Sequence, residues 1–320
     1  MSKSWMSALK QYFSMLNQLQ IEGNVFEIEA YRKNDESLQK ETGRILRRRE
    51  TFQSRNARPV KCKTTIRQIQ ILSEDQEKVD IALQNHLWQL YHIRDCFLEQ
   101  EDEQYRTITM REKDGRWYVD SDYIVGEEAQ NSEEHPDAFR DNQEEIMPQS
   151  AEVVNKKGAY NRAMAKRYAE LWWNQHNPHY PKFEVDCTNF VSQCVHEGGV
   201  TQEVTTQRNI GWWVKGKGNW SFSWSVAHSF MTYLLGANTK LPAKAELKTS
   251  ADQLMIGDVI CYDWDGSGRF QHNTIVVAKD PNGMPLVNAH TVNSRHRYWD
   301  YRDSHAWTEQ TKYKFLHILV

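Results

Sequence analysis

The sequence predicts a two-domain α+β protein: N-terminal helices followed by a curved antiparallel sheet, then a second α+β domain with an antiparallel sheet of its own. Three observations predict it. Helical spacing at the start gives way to long alternating strands, which is the order of an α+β domain. An acidic, proline-containing stretch divides the chain. Beyond it, strongly helical segments precede short strands joined by a tight turn. At 320 residues the chain is long enough for two cores.

Trp5, Leu9, Phe13, Leu16 and Leu19 recur at three- and four-residue steps, so a first helix is expected over Ser4 to Leu19. A charged second helix is expected from about Val25 to Glu50. Its basic end, "RILRRRE", runs into "SRNARPVKCK" and reads as a solvated helix face. From Lys63 to Tyr123 come "TTIRQIQIL", "KVDIALQNHLWQLYHI", "YRTITMRE" and "RWYVDSDYIV", strand-like by their alternation, with "EKDGRW" turning the last pair. This order resembles the cone-like fold of the nuclear-transport-factor type. The first domain is placed at 1–125, its role unassigned. An exposed acidic linker follows at 126–154, and a second domain at 155–320.

Net charge is -3, so nucleic acid is not an expected partner. No apolar run approaches the roughly 18 residues of a membrane span. The N-terminal segment lacks the apolar core and small-residue cleavage site of a secretory signal, and a cytoplasmic location is expected. The five cysteines are odd in number and widely spaced, so reduced thiols are expected. The tryptophans gathered in the second half, Trp172, Trp173, Trp212, Trp213, Trp220 and Trp224, could line a groove, and core packing is the favoured reading.

The second domain opens on "YNRAMAKRYAELWWNQHN", a helix expected to align Tyr160, Met164, Tyr168, Leu171 and Trp172 on one face. Pro178 and Pro181 end it. Then comes "KFEVDCTNFVSQCVHEGG". Asp186 suits an N-cap, Cys187 the first helical position, and Gly198 or Gly199 the end. At that position free amides and the helix dipole favour thiolate over thiol. Cys194 falls among Phe190, Val191 and Val195 and reads as core. A zinc site enlisting Cys187, Cys194 and His196 is disfavoured, because two helical turns separate the sulfurs by roughly 10 Å; no metal or cofactor is expected.

A partner for the cysteine lies in "MIGDVICYDWDGSGRFQHNTIVVAKDPNGMPLVNAHT". Strands are expected at Met255 to Tyr262 and His272 to Ala278, with "DPNG" turning the chain into Leu286 to Thr291. If Pro281, Asn282 and Gly283 form a three-residue loop, Asp280 pairs with Met284. In an unbroken register His272, Asn288 and His290 then project from one face, His290 opposite Thr274.

The ordered set "DCTNFVSQ", "GDVICYD", "HNTIVV" and "NAHT" resembles the bacterial putative amidase domain family, a relative of the NlpC-type cell-wall peptidases and of the papain-like fold, over about Tyr160 to Val320. The resemblance implies a papain-like cysteine hydrolase domain. In it Cys187 is the nucleophile, His272 the general base and then acid, and His290, or Asn288 after it, the third catalytic residue orienting the imidazole, with Asp186 in support. It implies thioester chemistry on an amide bond of a peptide or peptidoglycan-like substrate. The rivals are a scaffolding protein that keeps the fold without activity, and an acyl transferase that passes the same thioester to an amine.

Overall fold

The computed structural model describes residues 4–24, 28, 31–32, 35–125, 160–216, 218–236 and 243–319. The acidic linker expected at 126–154 lies outside the described residues. The chain divides into two compact units. The first takes Met1–Glu128 together with Asp300–Trp307, the second Ala129–Trp299 together with Thr308–Val320. The return of an eight-residue piece of the C-terminal half to the first unit has no signal in the local sequence.

The first unit carries α1 (Ser4–Glu22) and α2 (Glu36–Ser54). Four antiparallel strands follow in a meander: β1 (Ala57–Glu74), β2 (Lys78–Ile93), β3 (Cys96–Lys113) and β4 (Arg116–Ile124). The anticipated spacing buries Trp5, Leu9, Phe13, Leu16 and Leu19 of α1, and Val79, Ile81 and Leu83 of β2 meet them in one core. Burial alternates without a break along β2, as a strand with one covered face requires. Slips in the β1–β2 register at Pro59/Lys61, Ile66/Gln68 and Ile71/Ser73 add local twist and bend. α2 starts at Glu36, where the Asp35 side chain caps the Leu38 N–H at 2.8 Å.

The basic end of α2 is not a solvated face. Arg44 and Arg48 are buried. Arg44 holds Glu41 at 2.8 Å, while Arg48 reaches Asp303 at 2.6 Å, Asp102 at 3.1 Å and Gln89 at 2.7 Å. A buried cation persists only with such partners; Arg44 finds its own on α2, and Arg48 finds them on β2, on β3 and in the returning segment.

The second unit carries α3 (Arg162–Trp172), α4 (Cys187–Glu197), α5 (Phe222–Ser225) and α6 (Ala227–Leu234). Its strands are β5 (Lys244–Lys248), β6 (Val259–Asp263), β7 (His272–Lys279), β8 (Pro285–Ala289), β9 (Asn293–Tyr298) and β10 (Lys312–Leu319). They form an antiparallel sheet in the order β9-β8-β7-β6-β10-β5. α4 lies on this sheet. Phe190, Val191, Cys194 and Val195 pack with Trp212, Trp224, Cys261, Ile275 and Val277, each large apolar side chain contributing about 1.5–3 kcal/mol of burial. The core reading of Cys194 and of Trp173, Trp212, Trp213 and Trp224 agrees with their burial, whereas Trp172 and Trp220 are only half-buried.

The α3 face is rotated from expectation. Ala165, Tyr168 and Ala169 are its buried residues, while Met164 and Leu171 are exposed. Asn161 caps the helix through Met164 N–H, and Tyr160 precedes it, donating to Gly257 O at 2.7 Å. Gly198 ends α4 beside that ring, where a Cβ would collide with the Tyr160 edge.

Candidate active site

Cys187 is the first residue of α4 and is 2% exposed. Its sulfur lies 3.7 Å from Thr188 Oγ1 and 4.0 Å from the Gln271 carbonyl oxygen, and it receives the Asn273 main-chain N–H. Burial pushes the thiol above its ordinary value. The Asn273 N–H, the Thr188 hydroxyl and the Thr188 N–H act against that, and the Asp186 carboxylate acts with it. The lowering expected from the helix start alone is outweighed, because a buried thiolate loses more hydration than these donors return.

Asp186 occupies the N-cap position without making a side-chain cap hydrogen bond. Its carboxylate is drawn elsewhere: Oδ1 accepts from Asn189 Nδ2 at 2.8 Å and from Phe183 N–H at 3.3 Å, and Oδ2 meets His290 Nδ1 at 2.7 Å. His290 Nε2 lies 2.7 Å from the Trp172 carbonyl, and the ring stacks on Phe190 with centroids 4.0 Å apart. Both ring nitrogens face oxygen acceptors, so the imidazole bonds to both at once only when doubly protonated. Neither nitrogen is left for the thiol.

His272 takes a different side. Asn273, the next residue along β7, turns its side chain to Thr188 on α4 at 3.2 Å. By strand alternation the His272 ring leaves the opposite face. There it packs against Tyr262 and Trp264, with centroids 5.5 and 5.7 Å away. Burial, with Arg297 adding to it, pushes His272 down to about 3.

The separation of the two histidines has one cause. The three-residue loop forms, with Asp280 N–H donating to Met284 O at 2.9 Å, and Lys279 pairs with Pro285 and Ala278 with Leu286. A β-bulge between Val276 and Ala278 then slips the register by one, pairing Val276 with Val287 and Ile275 with Asn288. A one-residue slip exchanges faces. Asn288 therefore lies on the helix side, donating to Ala169 O at 3.2 Å and accepting from His296 N–H at 2.9 Å. His290, just past β8, follows it to Asp186. The expected common face for His272, Asn288 and His290 is not formed. The structure brings Cys187, Asp186 and His290 to the helix side, and of His272 only the neighbouring main chain reaches the sulfur.

Thr188, Asn189 and Asn273 were not singled out by sequence reasoning, although all three stand inside the quoted motifs. Asn189 is fully buried and ties Asp186 to Pro181 O and to Trp224 Nε1. Among the described residues no group of three His, Cys, Asp or Glu side chains is arranged to hold a metal ion, and no helix is long and apolar enough to cross a membrane.

Comparison with known proteins puts this site inside a recognised region. No solved structure matches the chain. It is 51% identical over 168 residues to the "Uncharacterized protein YhbB" of Bacillus subtilis (strain 168), a match covering 52% of this chain and 53% of that protein. The chain thus spans about half the length of that curated relative. Residues 159–316, which contain Cys187, His272 and His290, match the family model described as "Putative amidase domain".

Proposed function

We propose that the second unit is a cysteine amidase acting on an amide bond of a peptide or peptidoglycan-like substrate. The observation that carries this reading is the placement of Cys187 at the first turn of a buried helix, with hydrogen-bond donors from two elements directed at its sulfur, inside a region that matches an amidase family model. The thiolate attacks the carbonyl carbon. The carbonyl electron pair moves to oxygen, where the free N–H at the helix start is a ready donor. The amine leaves with a proton, and water then hydrolyses the thioester.

His272 is the base in this reading, as the order of the motifs implies. The Gln271 carbonyl and the Asn273 N–H flank it and both touch the thiol, so transfer requires the ring to turn to the thiol side at the start of β7. His290 holds Asp186 and through it the start of α4. The chain incubated with peptide and muropeptide libraries is expected to form a covalent adduct on Cys187, detected by mass spectrometry. Hydrolysis that persists in Cys187→Ser would sink the reading.

A second reading is favoured by one observation: Cys187 and His272 are 2% and 1% exposed, and the ring lies on the far face. A binding or scaffolding protein keeping the amidase fold has no need of an open site. Binding of those ligands without turnover or adduct would support it.

A further inference from the structure

We propose that Asn273 and Thr188 form a hydrogen-bond relay that stabilises the Cys187 thiolate once the base has taken its proton: the Asn273 side-chain amide donates to Thr188 Oγ1, which leaves the Thr188 hydroxyl proton to the sulfur. The inference rests on the reading of Cys187 as nucleophile and deepens it by naming two positioning residues.

The geometry runs in one direction. Asn273 Nδ2 lies 3.2 Å from Thr188 Oγ1, and Thr188 Oγ1 lies 3.7 Å from Cys187 Sγ. A hydroxyl has a single proton. With its oxygen accepting from Asn273, that proton turns to the sulfur, the other neighbour the structure gives it. The Asn273 main-chain N–H reaches the same sulfur, so one residue supplies a direct donor and an indirect one. All three residues are almost fully buried, where donors aimed at a charge are stronger than in water. Asn273 Oδ1 is buried without a hydrogen-bond partner. Among the described residues the contact that orients that amide is the one to Thr188.

The neutral thiol has its own place. It donates towards the Gln271 carbonyl at 4.0 Å. On losing its proton to the base, the sulfur gives up that contact and keeps the two N–H and O–H donors. The switch between them costs no rearrangement of the helix.

Competing charges are few. Asp186 precedes the thiol, and Cys261 approaches from β6. Of the elements packed on α4, α3 brings Tyr168, bonded to Gln193, and α6 brings His228, which accepts from Phe270 N–H. β7 brings His272 on the opposite face, and His290 past β8 is engaged with Asp186. α5 brings no ionisable side chain. The ring nitrogens of His290 are taken up by Asp186 and by the Trp172 carbonyl, so among the described residues the relay is the arrangement directed at the sulfur from the helix side.

The test titrates the full chain by ultraviolet thiolate absorbance, taken as the difference from Cys187→Ser. Thr188→Val should raise the midpoint by about one pH unit, the scale of one hydrogen bond to a charged group. Thr188→Ser should restore it. Asn273→Ala, which keeps the main-chain donor, should raise it less. The double variant Thr188→Val/Asn273→Ala should match Thr188→Val alone, because a relay in series has nothing left to lose. Additive shifts, or midpoints unchanged in variants that still melt cooperatively, would overturn the proposal. Should Thr188→Val not melt cooperatively, Thr188→Ala, which only removes atoms, is read by the same criteria. Turnover is not the readout: a Cys187→Ser variant that still hydrolyses amides removes the nucleophile, while the thiol titration stands or falls separately.

Discussion

The imidazole of His290 and the carboxylate of Asp186 meet at 2.7 Å across 104 residues of sequence, and this contact holds the residue from which α4 begins. A carboxylate in that position ordinarily caps its own helix. Here it is given over to a tertiary partner, and the helix start is anchored to α3 and to the end of β8 instead.

The first prediction follows from that anchor. His290→Ala removes the partner of Asp186 Oδ2, of the Trp172 carbonyl and of the Phe190 ring. It should lower thermal stability, by about 2–4 kcal/mol, and lower turnover with it. Asn288→Ala should cost about 2–3 kcal/mol by stranding the Ala169 carbonyl and the His296 N–H, yet leave the titration of Cys187 where it was. Denaturant unfolding together with thiol titration separates the two; a shift of the Cys187 midpoint in Asn288→Ala would assign that residue to the site.

Thiol reactivity supplies the second. Cys62, flanked by Lys61 and Lys63, looks activated in sequence, but burial pushes it up to about 12 despite Arg48 and a Gln89 hydrogen bond. Burial pushes Cys194 well above its ordinary value, and Cys261 is raised as well. Cys96 is the exposed one. Limited alkylation of the folded protein near neutral pH should therefore mark Cys96 first, and in Cys96→Ser the next label should fall on Cys187. Peptide mapping reads the order, and Cys62 labelling ahead of Cys187 would contradict it.

Much of this architecture is legible in the sequence. The α1 stripe and the β2 alternation each reflect a single covered face, which a local pattern records. The burial of Arg44 and Arg48 is not legible, since two of the Arg48 partners are Asp102 on β3 and Asp303, about 250 residues on. Cys187 at a helix start could be read from neighbours alone, because Asp186, Gly198 and Gly199 bracket the segment. The face on which His290 emerges depends on a bulge at Val277, a residue no different in kind from the valine before it. The pattern of a strand records alternation and carries no mark of where it slips.

Acid sensitivity is the third prediction. The folded state holds His272 near 3, whereas an unfolded histidine titrates near 6.5. Below about pH 6.5 the unfolded chain takes up a proton that the folded chain refuses, so stability is full above that pH and declines as pH falls towards 3. The slope should approach 1.4 kcal/mol per pH unit from this group, within about that bound. His272→Gln should flatten the loss between pH 6 and 4, measured by urea unfolding at each pH. A variant as acid-sensitive as the wild type would place the burden elsewhere.

The fourth concerns the hub behind α3. Asp258 is fully buried and held by Arg162 at 2.5 Å and by His317 at 2.7 Å. Arg162→Ala leaves a buried carboxylate short of its cation and should cost about 3 kcal/mol. Arg162→Ala/Asp258→Asn should recover part of it, since the charge is then gone. Equal losses in the single and double variants would show that the Arg162 packing, rather than its charge, carries the stability.

The bulge between Val276 and Ala278 works as a phase shifter for the hairpin. Two proteins can share "HNTIVV" and "NAHT" in the same order and still differ, by one residue between them, in which histidine lies on the cysteine's side of the sheet. Deleting Val277 would be expected to swing the downstream strand by one position and exchange the two faces. Motif order names the candidate residues; the count of residues between the motifs decides which of them share a face.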